Sequence, residues 1–269
     1  RKGYNRAFAA AITAGGSLVT PIIPPGIALI IYGLVADVSI GKMFIAGLVP
    51  GLLCAVVLMF TVYLVARKTN AKPSRESWPT GKEVVFSLGQ AWPALFLIFA
   101  VVGGIRANIF TPTEAGAVAV LIVLAIGFFI YREMRISHVV KALGETARAT
   151  ASVMLVIMAS AALGWIFSME HAGVAVANFV TSLTENKYMF LLIINILLLT
   201  LGMFLEGNAI LLILVPLLKP VVEHFGIDPV HFGIIMIFNL SIGAFTPPVG
   251  TVMLLVCNIT QVSVGNFFK

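Results

Sequence analysis

An all-α integral membrane protein built on an inverted internal repeat is the fold class this sequence predicts. Three observations carry that expectation: too few charges for a soluble globule, apolar runs of membrane-crossing length, and two proline pairs that interrupt long apolar segments at matching places. The 269 residues are 60% hydrophobic and 10% charged, with a mean hydropathy of +1.07. A soluble domain carries about 25% charged residues. Lys and Arg number 17 against 11 acids, a net charge of +6. A nucleic-acid partner would need those cations gathered on one face; here they sort by membrane side, so no nucleic acid is expected. Cys54 and Cys257 stand in apolar runs without metal-ligand spacing and read as packing residues.

A crossing helix needs about 20 mostly apolar residues. The continuous candidates are 43–66, 90–106, 113–131 and 149–168, the second short and carrying Pro93 near its start. The stretches 80–89 and 137–148 are of mixed polarity and are expected along the interface. Residues 172–184 read as a surface or arm helix. Thr111-Pro112-Thr113-Glu114 offers an N-cap, a first-turn proline and an acid at the positive end of a helix, so Glu114 reads as a capping residue. The longest polar connection runs from Arg67 to Lys82.

Segments 7–36 and 230–262 are long enough to cross but are broken by Pro24-Pro25 and Pro247-Pro248. Proline has no amide donor and clashes with the preceding turn. In hydrocarbon the freed carbonyls are tolerated only inside protein or beside a polar cavity. Either break alone reads equally as a simple kink. A shift of 223 positions superimposes the two proline pairs, and also carries Gly3 onto Gly226 and Asn5 onto Asp228. Paired interrupted segments point to the binding site of a secondary transporter. The stretch 188–222 is apolar but interrupted at Glu206-Gly207-Asn208, and is expected to turn at Lys219-Pro220 as a re-entrant hairpin.

With this topology one side holds Arg1, Lys2, Arg6, Arg67, Lys68, Lys72, Arg75, Lys82, Arg132, Arg135, Lys141, Arg148 and Lys269. The other holds Lys42, Arg106, Lys187 and Lys219, a division of 13 to 4. The positive-inside rule makes the first side cytoplasmic. The first broken segment then runs outward and the second inward, an inverted relation.

At the hairpin tip, Asn208 offers an amide oxygen and Gly207 allows close backbone approach. Together with Thr246 and the open carbonyls near Gly243 to Phe245, the tip can present neutral oxygens to a hard cation. Glu206 reads either as an ion- or proton-handling group or as an acid near the interface. An enzyme would need convergent catalytic groups. No GxSxG or HExxH occurs, and His138, His171, His224 and His231 fall near loop boundaries, so no enzyme is expected.

Several strings in order carry a family resemblance. They are Gly3-Tyr4 with Ala7 to Ala14, Ile23-Pro24-Pro25, Ile31-Tyr32-Gly33, Ser39 to Gly47 with Pro50-Gly51, Thr111 to Gly116, Gly226 to Gly233, and Gly243 to Gly250. On these the chain resembles the large membrane (M, DctM-like) subunit of tripartite ATP-independent periplasmic (TRAP) transporters along essentially its whole length. The resemblance implies an elevator-type, sodium-driven symporter in the bacterial inner membrane. Its partners would be a small four-helix Q subunit, fused or separate, the lipid bilayer, and a periplasmic binding protein. That protein delivers an organic acid such as a C4-dicarboxylate or sialic acid. By position, one sodium site would use Gly16, Thr20, Pro24 and Pro25; the other would use Gly207, Asn208, Gly243, Thr246 and Pro247. Substrate would meet Gly26, Asn208, Pro248 and Gly250. Thr20 and Gly26 stand where the family usually has glycine and serine. The chain opens at Arg1 without an initiator Met, and reads as the C-terminal part of a longer subunit whose first hairpin tip would precede Arg1. No organic cofactor is expected. The alternatives are another cation-coupled anion transporter and a channel, either without a binding-protein partner.

Overall fold

A computed structural model describes residues 6–68, 80–107 and 109–267. The described residues are helical and contain no strand. Six helices among them are long and apolar enough to cross a membrane. The expected polar connection from Arg67 to Lys82 falls mostly on 69–79, outside the described residues, as do Gly3, Tyr4, Asn5 and Lys269. The chain divides into two compact units, one of residues 75–159 and one of 1–74 with 160–269.

The larger unit is built around two interrupted helices. The first comprises α1 (Arg6–Ser17) and α2 (Ile27–Ala36), followed by the continuous α3 (Ile40–Lys68). In the smaller unit, α4 (Gly81–Arg106) and α5 (Pro112–Ala125) pack side by side, with the Phe110 ring filling the space beside Gly104. A π-helical turn, Ile126–Ile130, ends α5, and α6 (Ile136–Met169) begins in this unit and continues into the larger one. The second half of the larger unit holds α7 (Ala172–Leu183), α8 (Lys187–Phe204), α9 (Gly207–His224), the interrupted pair α10 (Pro229–Phe245) and α11 (Thr251–Thr260), and the short α12 (Val264–Phe267).

Local chemistry explains most helix starts. Thr111 caps α5: its hydroxyl accepts the Glu114 amide at 3.3 Å, while the Glu114 carboxylate accepts the Thr111 amide at 2.7 Å. Glu114 is thus the capping residue expected of it. Thr80 and Glu83 make the same reciprocal box. That box starts the helix earlier than the expected span 90–106, so residues 81–89 form the first turns of α4. Pro93 removes one intrahelical donor without ending the helix. Residues 137–148 are likewise the first turns of α6.

A second correction concerns the hairpin. α9 does not turn at Lys219-Pro220 but runs on to His224. Pro216 and Pro220 are four apart, so the donor missing at Pro220 is the one the Pro216 carbonyl would have accepted. α7 packs on this stretch, with Pro220 against Gly173. The chain turns instead at Gly226, whose φ is +61°. Both arms contain 18 residues, about 27 Å of helix.

The two interrupted helices lie against each other in opposite senses. α1 packs on α11 and α2 on α10, so the first half of each meets the second half of the other. Ala10 and Ala14 of α1 are buried with Met253, Cys257 and Phe267. At the other end the Tyr32 ring covers Gly233, and its hydroxyl donates to the Pro229 carbonyl at 2.7 Å. The 223-residue shift carries Arg6, the first residue of α1, onto Pro229, the first of α10. It carries Ile27, the first of α2, onto Gly250, just before α11. α9 is buried along Leu211, Leu212, Val215, Leu218 and Val222, between α2, α7 and α10.

Candidate functional site

The second break is closed by the end of α8. α10 stops at Phe245 and α11 resumes at Thr251, with the Pro247–Pro248 peptide bond cis. Gly243 lies so close to α8 that a Cβ placed on it would stand 2.6 Å from the Gly202 Cα. The Gly250 amide donates to the Met203 carbonyl at 3.1 Å, tying the break loop to the same arm. Gly250 has φ +52°, and a Cβ there would stand 2.9 Å from the Thr246 carbonyl oxygen. A side chain is therefore excluded on both conformational and steric grounds.

Two side chains at this place have their donors occupied and an acceptor to spare. The Thr246 hydroxyl donates to the Ile242 carbonyl at 2.7 Å, which leaves its oxygen lone pairs available. The Asn208 amide nitrogen donates to one Glu206 carboxylate oxygen at 2.7 Å. Among the described residues the Asn208 amide oxygen meets no donor. The other Glu206 oxygen accepts the Ala209 amide at 2.9 Å, so Glu206 is the N-cap of α9. Thr246 lies at the negative end of α10, which favours a cation. Gly207, Asn208, Gly243, Thr246 and Gly250 thus gather around the end of α8. Pro247 and Pro248 are exposed beside them. No group of three or more His, Cys, Asp or Glu suited to a metal occurs among the described residues.

The first break is bedded differently. Tight turns link Leu18 to Gly15, Thr20 to Ser17, and Ile22 and Ile23 to Val19. α3 carries the loop, for the Ile22 carbonyl oxygen fills the space beside Gly47 and the Ile23 side chain that beside Gly51. Ile22, Pro24 and Gly26 are buried, whereas Gly16, Thr20 and Pro25 are exposed. A Cβ on Gly26 would stand 2.5 Å from the Pro21 carbonyl oxygen, so Gly26 closes this loop much as Gly250 closes the other. The Pro24–Pro25 bond is also cis. One predicted group therefore rests on α3 and the other on α8.

Sequence reasoning missed three parts of this arrangement. Gly202 is the close partner of Gly243, the Met203 carbonyl receives the Gly250 amide, and Asn239 donates to Asn195 across α8 and α10 at 2.6 Å. Only the asparagines left a trace, as isolated amides in apolar runs.

Over residues 1–269 the sequence matches the family described as the tripartite ATP-independent periplasmic transporter, DctM component. The chain belongs to this family. The DctM chain is 40% identical over 263 residues to the sialic acid TRAP transporter large permease protein SiaM of Vibrio cholerae serotype O1, covering 96% of this chain and 60% of that protein. It is 39% identical over 269 residues to the C4-dicarboxylate TRAP transporter large permease protein DctM of Pseudomonas aeruginosa, covering 98% and 62%. With the isethionate TRAP transporter permease protein DctMQ of Oleidesulfovibrio alaskensis it shares 37% identity over 268 residues, all of this chain and 42% of that one. The chain thus spans about three fifths of the length of the first two relatives. These relatives are named as permease subunits rather than enzymes, and with six apolar helices of crossing length the DctM chain is a multi-pass membrane protein.

Proposed function

We propose that this DctM chain forms part of the transport core of a sodium-coupled TRAP system. In this reading the system imports an organic carboxylate across the bacterial inner membrane. A periplasmic binding protein delivers the substrate and a small Q-type membrane subunit sits beside the permease. The observation that carries the reading is the meeting of the α8–α9 tip with the second break. There Asn208 and Thr246 keep acceptors free while their donors are engaged. Neutral oxygens at the negative end of a broken helix suit Na+ better than a soft metal. The antiparallel packing of the two breaks supports an alternating-access unit. The relatives' names, sialic acid, C4-dicarboxylate and isethionate, support an organic-anion substrate. Gly16, Thr20, Pro24 and Pro25 form the second ion site of this reading, while Gly26, Asn208, Pro248 and Gly250 face substrate.

Uptake by the assembled transporter in proteoliposomes should require both sodium and the loaded binding protein. A rate unchanged when choline replaces sodium, with the membrane potential held, rejects the coupling. Asn208→Ala and Thr246→Ala should each raise half-saturating sodium about 5- to 30-fold, the worth of one polar ligand at roughly 1–2 kcal/mol. Wild-type sodium curves for both variants would remove the tip and the second break from the ion site.

A further inference from the structure

Asn195 is the one amide in α8 and Asn239 the one amide in α10. Each lies within a long apolar stretch. The Asn239 amide nitrogen donates to the Asn195 oxygen at 2.6 Å and to the Ile235 carbonyl at 2.8 Å, and the Asn195 nitrogen donates to the Leu191 carbonyl at 2.6 Å. Asn239 is only 5% exposed. Elsewhere along the seam Phe190 lies on Phe232, with ring centroids 6.3 Å apart, and Gly202 approaches Gly243 and Leu240. Aliphatic ridges tolerate a slide of one turn, about 5.4 Å, because leucine and isoleucine recur on both faces. A slide would set each asparagine against aliphatic side chains of the other helix, and although each nitrogen keeps the carbonyl of its own helix, the Asn195 oxygen and the Asn239 N–H that faces it would lose each other among hydrocarbon. A polar pair inside an apolar seam therefore distinguishes one register from its neighbours.

We propose that the Asn195–Asn239 pair is a register key that positions the hairpin arm against the broken helix and so holds the tip and the second break in their ion-coupling alignment. The pair sits one turn before Gly243 and two turns before Gly202, and acts through helix position rather than contact with an ion. This rests on the sodium-site reading above and adds two positioning residues to it.

The test is sodium-dependent uptake by the complete reconstituted transporter, read beside thermal unfolding of the same preparations. The double variant Asn195→Leu/Asn239→Leu leaves no amide unpaired, so it should unfold near the wild-type temperature. It should nevertheless raise half-saturating sodium about fivefold or more. A double variant with a wild-type sodium curve overturns the key, and so does one that loses stability without a sodium shift.

If the leucine pair does not reach the membrane, Asn195→Cys/Asn239→Cys carries the test, with Cys54 and Cys257 of this chain replaced by alanine. Reduced, it should show the raised sodium requirement. Bridged by Hg2+, it should return toward wild type, and an absence of any difference overturns the proposal. Asn208→Ala and Thr246→Ala are run alongside. If either shifts sodium dependence and the Asn195/Asn239 variants do not, the key alone fails. If Asn208→Ala and Thr246→Ala both leave the sodium curve unchanged, the ion-site reading fails and the key falls with it.

Discussion

Gly243→Ala is expected to abolish most uptake and to lower the thermal stability of the permease, whereas Gly202→Ala at the facing position should do far less. The asymmetry follows from what each new methyl would meet. At Gly243 the Cβ would stand 2.6 Å from the Gly202 Cα, 2.7 Å from its carbonyl carbon and 3.1 Å from its oxygen. These are all backbone atoms, and no rotamer change removes them. At Gly202 the nearest atoms would be the Gly243 Cα at 3.1 Å and the Leu240 Cα and oxygen at 3.4 Å, which a shift of a few tenths of an ångström accommodates. Overpacking of the first kind costs about 1–3 kcal/mol. Here the displaced element is α8, whose next residue, Met203, holds the Gly250 amide. Pushing α8 outward should therefore disturb the break loop as well as the seam. Thermal unfolding and uptake of the two variants check this, and equal losses for both would show that the glycine contact does not set the spacing of α8 and α10.

How far such features were legible depends on their range in sequence. The breaks at 18–26 and 246–250 could be read directly, because proline acts on its own turn whatever surrounds it. Thr111 and Glu114 could be read for the same reason, since a cap is a three-residue event. The Thr80–Glu83 box was equally local, yet it lay in a stretch of mixed polarity that read as interfacial. Lys219-Pro220 misled because its local signal was real but lost to packing. α9 is buried between α2, α7 and α10, and Gly173 seats Pro220, so the helix continues through two missing donors. The candidate site divides along the same line. Asn208, Gly243 and Thr246 stood out as polar or small residues at an interruption. That Gly202 lies under Gly243, or Asn195 beside Asn239 across 44 positions, depends on the register of two helices that single-sequence periodicity leaves open.

Glu206→Gln is expected to impair sodium dependence nearly as much as Asn208→Ala, although it leaves Asn208 itself unchanged. A carboxylate accepts and does not donate. With one Glu206 oxygen on the Ala209 amide at 2.9 Å and the other at 2.7 Å from the Asn208 nitrogen, Asn208 must turn its NH2 inward and its oxygen outward. Glutamine at 206 has one oxygen and one NH2. Its oxygen can keep the Ala209 bond and cap α9, but its NH2 then faces the Asn208 NH2. Asn208 relieves the conflict by turning its amide over, which presents two donors where a cation needs an acceptor. Half-saturating sodium should rise about 5- to 30-fold on the scale of one lost polar ligand. The helix start should survive, since the cap is retained. The double variant Glu206→Gln/Asn208→Asp reverses the polarity of the pair at unchanged net charge. The glutamine NH2 would donate to one aspartate oxygen and the other would point outward, so much of the sodium response should return. A proton-carrying Glu206 predicts a different pattern: Glu206→Gln would flatten the pH profile of uptake, and the double variant would repair the loss no better than the single one. Sodium curves and pH profiles of the three variants separate these outcomes. A Glu206→Gln permease with the wild-type sodium curve would show that the orientation of Asn208 is set by something other than its neighbour's carboxylate.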